Sequence, residues 1–209
     1  MRIKNLKIFS DFIDFFRTPE IVDITTPEQK EANARMAYLR HSSDRLMKDL
    51  TKEEEDAIMH YSTMGYSSLN SRLRLGDTPK GVELLDSALR KYHYDPSLYG
   101  NLKVYRKIYL IGNAKTKFIR DIREKGYYID KGYQSTSIDP KACTFQYNIE
   151  LVLEIENPYA GAYIETIAFR HGEKEYLIGR NTRVDIDSIE EEDEGEKGII
   201  TVMKGRVTK

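Results

Sequence analysis

The spacing of apolar residues changes once along the chain, close to residue 100, and this change constrains the fold more than any other feature. From Thr26 to about Tyr92 the pattern is helical. Thr51-Lys52-Glu53-Glu54 has the form of a capping box, in which a threonine hydroxyl and a glutamate three residues on satisfy each other's backbone N–H. Ala57, Ile58 and Tyr61 follow at helical spacing, and beyond Met64-Gly65 a second run carries Leu69, Leu73 and Leu75. Pro79 and Pro96 punctuate this half. From Leu102 onward the apolar residues fall into short segments rich in Val, Ile and Tyr: 103–111, 132–137, 150–155, 162–164, 175–178, 182–186 and 199–203. Residues 116–125 read as one more helix between strands, and 190–198 as an acidic turn or loop before the last strand. No Gly/Ser or Pro run separates the blocks. The expectation is one α+β domain over residues 1–209, mainly helical to residue 98 and mainly β from 99, with the helices packed on a two-sheet, mainly antiparallel β core.

Composition narrows the function classes. A hydrophobic fraction of 40% is enough for a real core, while a net charge of -1 sets up no field that would draw nucleic acid, so none is expected as a partner. Lys4, Lys7, Asp11 and Asp14 interrupt the apolar residues of 1–16, leaving no signal-peptide core and nothing near a membrane span. The chain is therefore expected to be cytoplasmic at synthesis or to act in a host cytoplasm, without a Sec signal peptide and with non-Sec export left open. A lone Cys143 and four scattered histidines give no disulfide framework and no zinc cluster, and no metal is expected.

Chemistry has to be sought among the carboxylates. Glu173 and Glu175, in Phe169-Arg170-His171-Gly172-Glu173-Lys174-Glu175-Tyr176-Leu177, share a face if the backbone is extended, and two adjacent carboxylates suit a cation held between them. With 34 acidic residues in the chain such a pair means little alone, and two other triplets serve as controls. Glu154 and Glu156 alternate with Ile149, Leu151, Leu153 and Ile155, the mark of a solvated strand face. Glu194 and Glu196 sit in a charge run. Three further features distinguish Glu173 and Glu175. Arg106 stands within the apolar run Val104-Tyr105-Arg106 and offers a forked, permanently charged donor suited to phosphate. Gly132-Tyr133-Gln134-Ser135-Thr136-Ser137 places small hydroxyls in a β-like context. Tyr61, Tyr66 and Asn70 lie on a helical run, Tyr66 and Asn70 being i,i+4 neighbours if the helix continues through Gly65.

In this order the features resemble the Arg, Ser-Thr-Ser, Glu-x-Glu group of mono-ADP-ribosyltransferases, which includes clostridial binary-toxin enzymatic components and insecticidal exoenzymes. The resemblance runs from about Leu50 to Arg183, and its most specific piece is the Gly-Glu-x-Glu-x-Leu pattern at Gly172 to Leu177. It implies the ADP-ribosyltransferase fold and NAD as co-substrate, with nicotinamide released and ADP-ribose transferred to a protein side chain. By the resemblance, Tyr61, Tyr66 and Asn70 mark the helix beside the NAD cleft, Arg106 holds the NAD phosphate, Ser135-Thr136-Ser137 brace the cleft, and Phe145 packs on nicotinamide. The catalytic set is Glu175, Glu173, Ser135 and Arg106. Glu175 acts on the ribose, with Ser135 holding its rotamer, and Glu173 faces the acceptor. Relatives that modify asparagine commonly carry Gln at the position of Glu173, so arginine is the implied target. Phe169, His171 and Glu173 would recognise the partner protein. One departure stands out: Asn148 occupies the place of a second phosphate-binding arginine, for which Lys141 or Arg180 would compensate. The implied partners are NAD and a target protein carrying the acceptor arginine, for a monomer that acts alone or within a multi-component system, without a membrane. Water as acceptor, making the chain an NAD glycohydrolase, and a catalytically silent protein-binding module are the alternatives left open.

Overall fold

The computed structural model describes residues 26–142, 145–169, 172–195 and 198–208. Residues 1–16, considered above for a targeting signal, and His171 lie outside the described residues. The chain divides into two units, Met1–Ala34 and Arg35–Lys209. Everything described below belongs to the second, apart from the first turns of helix α1. No described helix is long and apolar enough to cross a membrane.

Six α-helices are described: α1 (Pro27–Asp49), α2 (Lys52–His60), α3 (Tyr66–Leu75), α4 (Val82–Arg90), the single turn α5 (Pro96–Tyr99) and α6 (Asn113–Lys125). The capping box forms as expected, with Glu54 N–H on Thr51 Oγ1 at 3.3 Å and Thr51 N–H on Glu54 Oε2 at 2.8 Å. Helix α4 buries Val82, Leu85, Ala88 and Leu89, one stripe at helical spacing, and each large apolar side chain so buried is worth about 1.5–3 kcal/mol. Between α2 and α3, residues Tyr61–Gly65 make a π-helical turn. In such a turn residues five apart stack, which accounts for the spacing of Tyr61 and Tyr66, whose rings meet edge-on at 6.4 Å. Gly65 permits it: a Cβ there would lie 2.8 Å from the His60 carbonyl oxygen.

Eight strands follow: β1 (Leu102–Ile108), β2 (Tyr127–Asp130), β3 (Gln134–Ser137), β4 (Ile149–Ile155), β5 (Gly161–Tyr163), β6 (Glu175–Ile178), β7 (Thr182–Asp193) and β8 (Ile199–Val207). Their order is β2-β7-β8-β4-β1-β3-β6-β5. All these pairings are antiparallel except β4 with β8. The two parts of the sheet meet at a narrow seam, since β1 pairs with β4 along its whole length but with β3 only through Tyr105 and Ser137. Hydrogen bonding thus runs through a single eight-stranded sheet, narrowed at this seam. Residues of both β1 and β3 beside this seam line the cleft.

Strand β4 alternates as its sequence predicts, with Ile149, Leu151, Leu153 and Ile155 fully buried and Glu154 on the half-exposed face. Three boundaries differ from expectation. Strand β1 stops at Ile108 and α6 begins at Asn113, while β2 has too little alternation to stand out. Residues 190–193 are strand rather than loop: Glu190 to Asp193 pair with Val202 to Ile199. Their side chains are exposed, so backbone pairing proceeds without an apolar face and the carboxylates stay solvated.

Candidate active site

Arg106 lies on β1 in step with Leu102 and Val104, both buried, so strand alternation aims it at the interior. Its guanidinium meets open space instead of core. It lines a cavity of about 480 Å³, another of about 570 Å³ and a smaller one of about 250 Å³. One nitrogen, Nη2, stands 3.8 Å from the Asp130 carboxylate. The other, Nη1, is buried without a hydrogen-bond partner among the described residues. A buried charged donor left unsatisfied is costly, and an anion is the partner it lacks.

The first cavity collects most of the residues singled out in the sequence. Tyr61, Tyr66, Ser135, Thr136, Ser137, Phe145, Glu173 and Glu175 line it together with Arg106. Glu175 opens β6 and is 6% exposed. Directly across the ladder from it stands Ser137, while Ser135 pairs with Leu177 and so reaches Glu175 only on the diagonal. Ser137 is itself committed, its hydroxyl donating to the Glu173 carbonyl at 2.7 Å. The extended backbone expected across Glu173-Lys174-Glu175 does not form. Lys174 is left-handed at φ 48 and Gly172 at φ 99, so Glu173 precedes the strand on a turn. Both carboxylates line the cavity all the same, through the turn rather than through strand alternation.

Tyr61 is buried against Tyr133 and Tyr66. Burial pushes its hydroxyl well above the ordinary tyrosine range; the Asn70 hydrogen bond opposes this and the Glu175 charge adds to it, so the phenol stays neutral. Asn70, expected beside the cofactor, is 6% exposed and wholly engaged. Its amide donates to the Tyr61 hydroxyl and the Tyr133 carbonyl, both at 3.1 Å, and accepts from Tyr133 N–H at 2.8 Å. Asn70 therefore ties α3 to the start of β3 and positions the cavity wall from behind. Phe145 and Phe169 are 55% and 62% exposed, and Phe169 N–H donates to Ser62 Oγ at 2.9 Å.

The departure at Asn148 has a local cause. Its side-chain amide pairs with both backbone groups of Leu110, at 3.1 and 2.7 Å, and is not part of the cavity lining. Arg180 is bound by Asp86 and lines a different groove, and Lys141 also lies outside the lining, so neither stands in for the missing arginine. Besides Arg106, the cations that line these cavities are Lys107 and Arg74, with Lys125 and Lys131 at the second cavity. Lys107 donates to the Pro140 carbonyl at 2.8 Å and lies 4.5 Å over the Tyr147 ring. Arg74 grips Asp130 with two hydrogen bonds of 2.9 and 2.8 Å. Lys107 gave no sequence signal because strict alternation assigns it to the face opposite Arg106. The second cavity carries another unsatisfied donor: Gln134 is fully buried, its Oε1 accepts from the Tyr128 hydroxyl at 2.7 Å, and its Nε2 is unpartnered.

Solved structures share this architecture. The chain is similar to Plx2a, an ADP-ribosyltransferase toxin from Paenibacillus larvae, with 23% identity and a TM-score of 0.70 over 86% of this chain and 97% of that one. It is similar to C3stau2 from S. aureus, solved with NAD, with 21% identity and a TM-score of 0.63 over 83% of this chain and 95% of that one. BECa, the ADP-ribosylating toxin of a binary enterotoxin of C. perfringens, was solved with NADH. It matches at 21% identity and a TM-score of 0.69, over 85% of this chain and 48% of that one. No curated protein sequence matches the chain. The family model described as ADP-ribosyltransferase exoenzyme matches residues 36–205, which hold the π-helical turn, Arg106, the Ser-Thr-Ser strand and both glutamates. The fold is the ADP-ribosyltransferase fold, and the chain belongs to the ADP-ribosyltransferase exoenzyme family.

Proposed function

We propose that this chain, acting as a single catalytic domain, cleaves the bond between nicotinamide and ribose in NAD and transfers the ADP-ribose to an arginine side chain of a protein. One observation carries the proposal: Arg106 is the shared wall of two cavities, with a buried unsatisfied nitrogen, and Glu175 lines one of them. A dinucleotide has that form, two nucleoside halves joined by a pyrophosphate. The NAD and NADH in the C3stau2 and BECa structures support the same choice of substrate.

The roles follow from charge. Arg106 takes the pyrophosphate, and the neighbouring Arg74 and Lys107 make that wall cationic. Phe145 packs on the nicotinamide. As the C–N bond breaks, its electron pair leaves with nicotinamide and positive charge develops on the ribose. Glu175, accepting a hydrogen bond from the ribose 2′-hydroxyl, stabilises that charge more in the transition state than in the ground state. Ser135 braces Glu175 diagonally from β3. Glu173 orients the acceptor guanidinium and takes the proton it loses as the new C–N bond forms. Phe169, exposed at the cleft rim, meets the target protein.

The test is to incubate the protein with NAD and a cell lysate and to locate ADP-ribose by mass spectrometry at residue level, with agmatine as a small arginine surrogate. Glu175→Gln is expected to lower nicotinamide release by about a hundredfold or more. Glu173→Gln is expected to abolish arginine modification while sparing NAD hydrolysis. Nicotinamide release with no modified acceptor would sink the transferase assignment and leave a glycohydrolase.

A further inference from the structure

The two cavity glutamates are held by different means. Glu175 is a ladder residue: it pairs with Ser137, and its carbonyl accepts Ile164 N–H at 3.0 Å. Glu173 is outside the ladder, and its position depends on the turn through Lys174. That turn is unusual, because Lys174 adopts a left-handed φ of 48 that side chains other than glycine, asparagine and aspartate rarely take. A left-handed lysine needs something outside the turn to hold it.

The restraint comes from the residues just after the Ser-Thr-Ser strand. Lys174 Nζ donates to Asp139 Oδ2 at 2.8 Å, both side chains being about one third exposed. The Lys174 carbonyl accepts Ile138 N–H at 3.1 Å, and the Glu173 carbonyl accepts the Ser137 hydroxyl at 2.7 Å. Asp139 N–H in turn donates to Ser137 Oγ at 3.0 Å, which orients that hydroxyl toward Glu173. Asp139 therefore acts twice, through its carboxylate on Lys174 and through its backbone on Ser137. The Lys174 ammonium, as the main cause, holds the Asp139 carboxyl below the usual range. Neither Asp139 nor Lys174 lines the cavity. On the other side of the turn, Gly172 N–H donates to Glu165 at 3.3 Å.

We propose that the Asp139–Lys174 ion pair is a positioning latch that sets the Glu173 carboxylate for acceptor transfer and leaves bond cleavage at Glu175 untouched. The inference rests on the assignment of Glu173 to the acceptor. Its signature is a change in partition, not in total activity: without the latch, Glu175 still cleaves NAD, but Glu173 no longer presents the acceptor and water takes its place.

The experiment compares wild type, Asp139→Ala, Lys174→Ala, Lys174→Arg and the swap Asp139→Lys/Lys174→Asp. Two rates are measured on the full chain, nicotinamide release without acceptor and ADP-ribosylation of agmatine, alongside hydrogen exchange of the backbone amides of residues 172–175. Each alanine variant is expected to lower the ratio of transfer to hydrolysis by about tenfold, with nicotinamide release close to wild type and faster exchange at 172–175. Lys174→Arg is expected to keep the ratio and the swap to recover most of it, aspartate being tolerant of the left-handed backbone. Equal loss of both rates in Asp139→Ala, an unchanged ratio, or unchanged exchange at 172–175 would overturn the latch. Absence of nicotinamide release from wild type would instead refute the proposed function, and the exchange comparison would still decide whether the latch holds the turn.

Discussion

Glu54 offers the most quantitative test of how this fold holds its site. Its side chain is 5% exposed and receives three hydrogen-bond donors, one of them charged: Lys91 Nζ at 2.6 Å, Ser87 Oγ at 2.7 Å and Thr51 N–H at 2.8 Å. Burial alone would push the carboxyl up. The Lys91 hydrogen bond, the Thr51 amide, the Ser87 hydroxyl and the Lys91 charge together outweigh burial and hold it at about 2, against an ordinary 4.5. At about 1.4 kcal/mol per pH unit, that depression corresponds to about 3 kcal/mol of folding stability. Because the folded pKa is the lower one, the contribution is fully present above pH 4.5 and is lost as pH falls through the folded value, about half of it by pH 3.

Glu54→Gln keeps the size and the acceptor oxygen but removes the charge, and Lys91 retains the Asp49 carbonyl at 2.8 Å. Urea unfolding followed by far-ultraviolet circular dichroism suits a chain without tryptophan. At pH 7 the variant is expected to be about 3 kcal/mol less stable than wild type, and at pH 3 the gap should be about half as large. A gap below about 1 kcal/mol at pH 7, or one that does not change between the two pH values, would refute the electrostatic account and assign the effect to packing. The site is affected too, since α2 leads directly into the π-helical turn that carries Tyr61.

Two further outcomes are expected. Arg106→Lys, which keeps the charge and loses the fork, should raise the Michaelis constant for NAD by about tenfold or more with a smaller change in kcat; an unchanged constant in a nicotinamide-release assay would remove Arg106 from pyrophosphate binding. Asn70→Ala leaves the Tyr133 N–H and C=O without their Asn70 partners and should cost about 2–4 kcal/mol in a denaturant melt, while a loss within error would show that water replaces the amide.

The switch from helical to strand spacing, the capping box at Thr51 and the alternation of β4 were all legible because each is a local pattern imposed by local geometry. The cavity residues were legible for a different reason. Tyr61, Arg106, Ser135 and Glu175 come from four separate elements, and only their order along the chain, matched to a family, linked them. What stayed hidden is non-local or goes against a local rule. Lys107 lies on the face opposite Arg106, as alternation predicts, yet it too borders the cavity, which spacing alone does not reveal. Lys174 is a lysine in a backbone region that propensity assigns to glycine, so the i,i+2 argument for Glu173 and Glu175 began from the wrong geometry. Asn148 stands where the family has a phosphate-binding arginine and Arg180 offers itself as a substitute, yet their partners, Leu110 and Asp86, are 38 and 94 residues away, where no spacing argument reaches.

These partners also separate Arg106 from its neighbours Arg74 and Lys107. Arg74 spends its fork on Asp130, and Lys107 has the Pro140 carbonyl and the Tyr147 face. Arg106 stands next to the same Asp130, but at 3.8 Å, with Arg74 holding the nearer contacts. A guanidinium with five donors and one distant counter-ion retains most of its hydrogen-bonding capacity. Asp130 thus keeps Arg74 occupied and the local charge balanced, while Arg106 keeps its buried nitrogen for an incoming phosphate oxygen. For Arg74 to join it, the Asp130 contacts must first be exchanged, and that exchange offsets what a second fork would contribute. Replacing Arg106 should for this reason weaken NAD binding more than the count of nearby cations suggests.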